Sequence, residues 1–235
     1  TKAPMKRTLL AFALLTSMAP TSGRAQLLEP GVPVDLAVPA GAPNRYGAAV
    51  AVDGDFTFVG APGSTVQAGS VFIFEAGVLV QTLRSGAGAD ARYGTSLAVQ
   101  PGRLIVGAPG DGAAYLYSRV GGEYEYVDRL TPSQPSQGFG ERVALFGFTA
   151  YVGAPTADIG GVDNNGAVHR FTSGALGSWT EQERIDGPLV TAAQFGMGLA
   201  YSSGRLFVGA RLALLPGRER NGLVYVYTGD GTLLQ

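Results

Sequence analysis

Cysteine is missing from this 235-residue chain. That excludes a disulfide framework, a thiol nucleophile and cysteine-ligated zinc. Charge is also sparse: 17 Lys and Arg stand against 18 Asp and Glu, for a net charge of −1. Without a basic excess, neither nucleic acid nor an anionic membrane has electrostatic support as a partner. Histidine occurs once, as His169. No apolar run reaches the roughly 20 residues of a membrane-spanning helix, so no transmembrane segment is expected. What is abundant is apolar side chain, at 46%, with 36 Gly and 14 Pro. Such a composition can build a core, which excludes disorder. Glycine and proline without a collagen period suit many short strands joined by tight turns. The length allows one sizeable all-β domain.

The chain opens with a targeting pattern. Met5-Lys6-Arg7 supplies a positive start, Thr8 to Leu15 is mostly apolar, and Gly23-Arg24-Ala25 offers a small-residue cleavage site before Gln26. This is the pattern of a secretory signal peptide. Residues 1–25, with Thr1 to Pro4 upstream of the apparent start, are therefore set apart from the fold. The remainder, 26–235, is expected to be secreted, extracellular or periplasmic.

Within it, three short motifs recur in register. An aromatic-Gly pair stands at Tyr46-Gly47, Tyr93-Gly94, Phe139-Gly140 and Phe195-Gly196. About a dozen residues later come Val59-Gly60-Ala61-Pro62, Val106-Gly107-Ala108-Pro109, Val152-Gly153-Ala154-Pro155 and Val208-Gly209-Ala210-Arg211. A third element starts at Gly69, Gly112, Gly166 and Gly222 and ends at Phe74, Tyr117, Phe171 and Tyr227. The units begin near 46, 93, 139 and 195, a period on the scale of one propeller blade.

Each unit reads as four strands. The innermost runs over Ala48 to Val52, Thr95 to Val99, Glu141 to Leu145 and Met197 to Tyr201, with Ala51, Ala98, Ala144 or Ala200 in the same column. A small residue there lets inner strands crowd around an axis. The second strand ends in Gly-Ala-Pro, where Pro stops the ladder and Gly and Ala leave room for a neighbouring blade. The third strand is apolar on both faces, with Val71, Ala114, Val168 and Val224 on one and Phe72, Tyr115, His169 and Tyr225 on the other. Such a strand is covered on both sides. The fourth, Tyr124 to Leu130 or Trp179 to Ile185, mixes apolar and charged residues as a half-solvated outer edge does.

These motifs resemble the FG-GAP repeat, found in the propeller of integrin alpha subunits and in many secreted bacterial proteins. The resemblance spans about Tyr46 to Tyr227. It implies an all-β propeller of four-stranded antiparallel blades, with about four blades present. Val34 to Pro39 reads as an isolated outer strand, and the last residues begin an outer strand and stop, so an incomplete ring, truncated at its C-terminal side, is expected.

The resemblance also implies calcium, held in integrins by an Asp/Asn-rich loop between the first two strands. Here that loop is Val52-Asp-Gly-Asp55 or shorter, too few oxygens for a cation wanting six to eight. The remaining candidate cation site is Asp158, Asp163 and Asn165, in an expanded loop between strands two and three of the third unit. For ligand binding, the candidates are residues of the loops sharing one end of a propeller: Arg45, Arg92, Asp158, Asp163, Asn164, Asn165, Arg211, Arg218 and Arg220. His169 occupies an aromatic column and reads as a packed substitute. No Ser-His-Asp set is recognisable around it, and the acids Glu123, Glu125, Asp128, Glu181 and Glu183 lie on outer strands and read as solvated. The expected function is a non-enzymatic binding or adhesion module for a protein or carbohydrate ligand. A secreted hydrolase or lyase with a site at the propeller axis, or a scaffold domain of a larger surface protein, are the alternatives.

Overall fold

A computed structural model describes residues 36–174, 177–213 and 221–234. The expected signal peptide lies outside the described residues, as do Arg218 and Arg220. The described chain is all-β, with one 3₁₀ turn at Ala89–Ala91. Blade 1 comprises β1 (Ala49–Asp53), β2 (Phe56–Ala61), β3 (Ser70–Glu75) and β4 (Val78–Leu83). Blade 2 comprises β5 (Ser96–Gln100), β6 (Arg103–Ala108), β7 (Ala113–Val120) and β8 (Glu123–Leu130). Blade 3 comprises β9 (Arg142–Phe146), β10 (Thr149–Ala154), β11 (Ala167–Ser173) and β12 (Trp179–Asp186). Blade 4 comprises β13 (Phe195–Ser202), β14 (Arg205–Ala210) and β15 (Leu223–Thr228).

Within each sheet, neighbours in sequence are neighbours in space and antiparallel. The inner strands pack in order, β1 on β5, β5 on β9 and β9 on β13. This is the stacking of propeller blades. In blade 4 the fourth position holds only an isolated bridge, Tyr227 to Leu233, after a tight turn. Leu36–Pro39 form no strand; the expected outer strand is replaced by a segment whose Leu36 packs with Ala42 and Tyr46 over Val59, Phe72 and Phe74. A lone extended segment has no ladder to join on that side, so its apolar side chains, and not its backbone, do the covering.

The core lies between sheets. Phe58, Val71 and Ile73 of blade 1 meet Tyr93, Val106 and Tyr115 of blade 2. Ile105 and Leu116 of blade 2 meet Phe139, Val152 and Phe171 of blade 3. Tyr151 and Val168 of blade 3 meet Phe195, Leu206 and Val208 of blade 4. Each such buried side chain stabilises by about 1.5–3 kcal/mol. The aromatic of every aromatic-Gly pair packs on the aromatic column of its own third strand. The pairs are Tyr46–Phe72, Tyr93–Tyr115, Phe139–His169 and Phe195–Tyr225, with ring centroids 5.6, 5.4, 5.1 and 5.5 Å apart.

Glycine has a specific task at the joints. Gly94, Gly140 and Gly196 hold φ of +92°, +93° and +88°, a region that glycine enters without a Cβ clash. The carbonyl of each meets the second-strand glycine of the preceding blade, Gly60, Gly107 or Gly153. A Cβ built at any of those three positions would lie under 3.0 Å from that oxygen. The Val-Gly-Ala motif and the aromatic-Gly motif are thus two halves of one coupling.

The third strands of blades 1 to 3 are covered on both faces as expected. In blade 4, Val224 is 65% exposed, because among the described residues no sheet stacks on that face. The outer strands β8 and β12 are mostly exposed or half-buried, with Tyr124, Leu130 and Ile185 buried, in line with their mixed sequence. The described residues include no helix long and apolar enough to cross a membrane.

Candidate functional site

Antiparallel order puts the links from strand two to strand three, and from each blade to the next, at one end of the fold. Four residues at this end precede the aromatic-Gly pair: Arg45, Arg92, Gly138 and Gln194. All four have positive φ, of 64°, 53°, 74° and 54°. Arg92 and Gln194 line one cavity of about 350 Å³ with Pro109, Glu141, Met197 and Arg211. Blades 2, 3 and 4 all contribute to it. Arg92 pairs with Glu141 at 3.3 Å while its side chain stays 42% exposed. The guanidinium of Arg211 donates to the Gln194 side-chain oxygen, so both arginines are oriented and still face solvent.

The other expected ligand residues are placed differently. Arg45 is exposed on blade 1 and does not line this cavity. The loop of Asp158, Asp163, Asn164 and Asn165 fastens blade 3 to blade 4. The carbonyls of Asp163, Asn164 and Asn165 accept from the amides of Ala192, Gln194 and Phe195, at 2.8, 3.1 and 3.0 Å. Asn165 is fully buried. Its Oδ1 accepts from Ile159 N at 2.9 Å, and its Nδ2 donates to Ile159 O at 3.3 Å. Asp158 Oδ1 accepts from Asn164 N at 2.7 Å. The Asn165 carboxamide is therefore spent on the loop's own backbone. Among the described residues, no three His, Asp or Glu side chains gather as a metal cluster. In the structure the candidate cation residues Asp158, Asp163 and Asn165 belong to a strap between blades 3 and 4.

A second site escaped the reading of the sequence. His169 is buried as its aromatic column requires, and its ring meets Phe139 edge-on, at 76°. Yet both ring nitrogens have partners. Nδ1 lies 2.6 Å from Glu181 Oε1, and Nε2 lies 3.0 Å from Ser136 Oγ. Glu181 is not solvated as its outer strand suggests: its side chain is 12% exposed, and Oε2 accepts from Ser133 N at 2.6 Å. Burial of the Glu181 carboxyl, which alone would raise its pKa, is outweighed by the hydrogen bonds from His169 and Ser133, and the pKa is lowered. Burial lowers the His169 pKa, against the pull of Glu181. At neutral pH the pair is thus a neutral imidazole on an ionised carboxylate. A carboxylate only accepts, so the proton sits on Nδ1 and Nε2 is left as an acceptor. The neighbouring Arg170 pairs with Glu183 at 2.7 Å, so the two basic residues of β11 both find their acids on β12. A cleft of about 320 Å³ reaches His169 and Glu181 between Ser133, Gln134, Gln182 and Arg184.

No family model matches the chain, and no curated protein matches it in sequence. Solved structures do share its architecture. One is a functionally unknown protein from Desulfotomaculum acetoxidans, with a TM-score of 0.50 and 15% identity over 79% of this chain and 56% of that one. Another is the hydrazine synthase of Kuenenia stuttgartiensis, with a TM-score of 0.52 and 18% identity over 79% of this chain and 52% of that one. The chain thus spans little more than half the length of either, and at such identities the likeness shows the fold alone: a β-propeller.

Proposed function

We propose that the chain is a secreted binding or adhesion module of the FG-GAP type that takes a protein or glycan ligand at the loop end of its blades. The observation that carries this reading is the convergence of Arg92 and Arg211, from different blades, on one cavity at that end. Two oriented, solvent-facing guanidiniums suit a carboxylate, which a planar fork can grip with two parallel hydrogen bonds. Acidic sugars and acidic peptide side chains both carry that group. The strap of Asp163 to Asn165 supports the reading by holding the blade 4 side of the cavity in place.

The test is a binding screen of the chain against immobilised uronic-acid glycans, neutral glycans and acidic peptides. Hydrogen bonds to a charged group contribute about 1.5–3 kcal/mol each. Replacing Arg92 and Arg211 together by Ala is therefore expected to weaken the best binder about a hundredfold or more. An affinity unchanged by both substitutions would sink the assignment.

A further inference from the structure

We propose that Ser136, His169 and Glu181 form a nucleophile, base and orienting acid that hydrolyses short-chain carboxylic esters of polar alcohols, at the outer junction of blades 2 and 3. Three different elements supply the set: the link between β8 and β9, strand β11 and strand β12. Their order is that of an acyl-transfer relay, with hydroxyl to Nε2 and Nδ1 to carboxylate. Both separations, 3.0 and 2.6 Å, are within hydrogen-bond reach, as such a relay requires. The ring is fixed from the side by Phe139, and Glu181 is fixed by Ser133 N. In the aromatic column only blade 3 carries a group that can move a proton at neutral pH, and only there is one joined to a hydroxyl and a carboxylate.

Burial differs usefully along the relay. His169 is fully buried at the bottom of the cleft, whereas Ser136 is half-buried, so the residue carrying the nucleophile is more accessible than the base. Ser136 opens a turn closed by Phe139 N donating to Ser136 O at 3.1 Å. The amides of Gln137 and Gly138, inside that turn, donate to no backbone carbonyl among the described residues. They are the donors available to an oxyanion beside Ser136. The cleft over His169 and Glu181 is lined by Ser133, Gln134, Gln182, Glu183 and Arg184, and this polar lining favours a polar alcohol over a long acyl chain.

The reaction balances with water as the only co-reactant. Ser136 Oγ bonds to the ester carbon as its proton passes to Nε2, and the carbonyl electron pair moves onto oxygen. Collapse of that oxyanion expels the alcohol oxygen, which takes the proton from the imidazolium and leaves an acyl-Ser136 ester. Water then bonds to the acyl carbon and gives its proton to Nε2. Ser136 Oγ departs with that proton, and a carboxylic acid is released.

The experiment uses p-nitrophenyl acetate and a fluorophosphonate probe on the unmodified chain. Hydrolysis above buffer is expected, with one phosphonate adduct located at Ser136 by mass spectrometry. Ser136→Ala is expected to abolish the adduct. His169→Phe restores the residue type found at Phe72, so it should keep the fold by circular dichroism, with a melting temperature lowered by the Glu181 carboxylate that it leaves without its imidazole. It should also lower hydrolysis by about 10²–10⁴-fold, the usual worth of a general base. Glu181→Gln should lower it with the fold intact. No hydrolysis above buffer, an adduct elsewhere, or activity that survives Ser136→Ala would overturn the proposal. Hydrolysis and labelling of Ser136 are read without the ligand screen, so this site and the ligand cavity fail or stand separately.

Discussion

Blade 4 ends in a face built like the three that are covered. At the joints, Gly60, Gly107 and Gly153 each receive a carbonyl from the next blade's aromatic-Gly turn. Gly209 occupies the same place in blade 4, yet the nearest atoms to a Cβ built on it belong to Gly198 of its own sheet, at 3.4 Å. The Val-Gly-Ala motif is the same in all four; in blade 4 the glycine pairs with Gly198 beside a bulge, and among the described residues no next blade meets it. The glycine is therefore a requirement of the joint and not of the strand. Strands on their own disfavour glycine, by about 0.5–1 kcal/mol relative to alanine.

Substitutions can break this comparison directly. Gly107→Ala has the largest expected effect, since its Cβ would meet both Gly140 O and Ser96 Oγ under 3.0 Å. Backbone on one side cannot yield cheaply, and overpacking of this kind costs about 3 kcal/mol. A calorimetric melt should show a fall of about 6–12 °C. Asn165→Ala comes next. It removes both side-chain bonds to Ile159 from a buried loop and leaves Ile159 N only the Val162 carbonyl at 3.2 Å, which costs about 1 kcal/mol, and hydrogen exchange should rise first at the junction of blades 3 and 4. A pH effect follows, confined to the joint between blades 2 and 3. Because the folded chain holds the His169 pKa below 6.5, the unfolded chain binds the extra proton as the pH falls. Stability is thus complete above about pH 6.5 and declines below it. The lowered Glu181 value adds a second loss below about pH 4.5. His169→Phe should erase the first decline in denaturant titrations and keep acid sensitivity from the remaining carboxylates. Gly209→Ala has the smallest effect: a stability change within about 0.5 kcal/mol, or a slight gain. A loss as large as that of Gly107→Ala would mean that the open face is not open.

Much of the architecture was legible because each motif has one packing reason repeated several times. The alternation of apolar columns located the third strands, and Gly-Ala-Pro located the ends of the second. Val34 to Pro39, described from Leu36 onward, misled because an apolar run of that length reads equally as a strand or as a cover. The oriented arginines were partly legible: Arg92 and Arg211 share a cavity, whereas Arg45 sits on a different blade. Asp163 to Asn165 looked like ligands since Asn and Asp serve turns and cations with the same oxygens. The relay was hidden for a different reason. Ser136 and Glu181 are 33 and 12 residues from His169, on elements that repeat poorly. Only the register of β11 against β12 and the path of the blade 2 to blade 3 link bring them to one ring. The signal within the sequence was the column itself, where a histidine and an arginine replaced apolar residues and needed acids across the next strand.

The couplings between blades have an implication for how such a chain can change. Each is made between a carbonyl and a bare Cα, so neither partner reads the other's side chain. A duplicated, deleted or transplanted unit brings its own plug and its own socket, and only the side chains packed between the sheets have to adjust to the new neighbour. Side-chain variety is then free to gather where it has gathered here, in the link that carries Ser136, in the strap at Asn165 and in the turns that display Arg92 and Arg211.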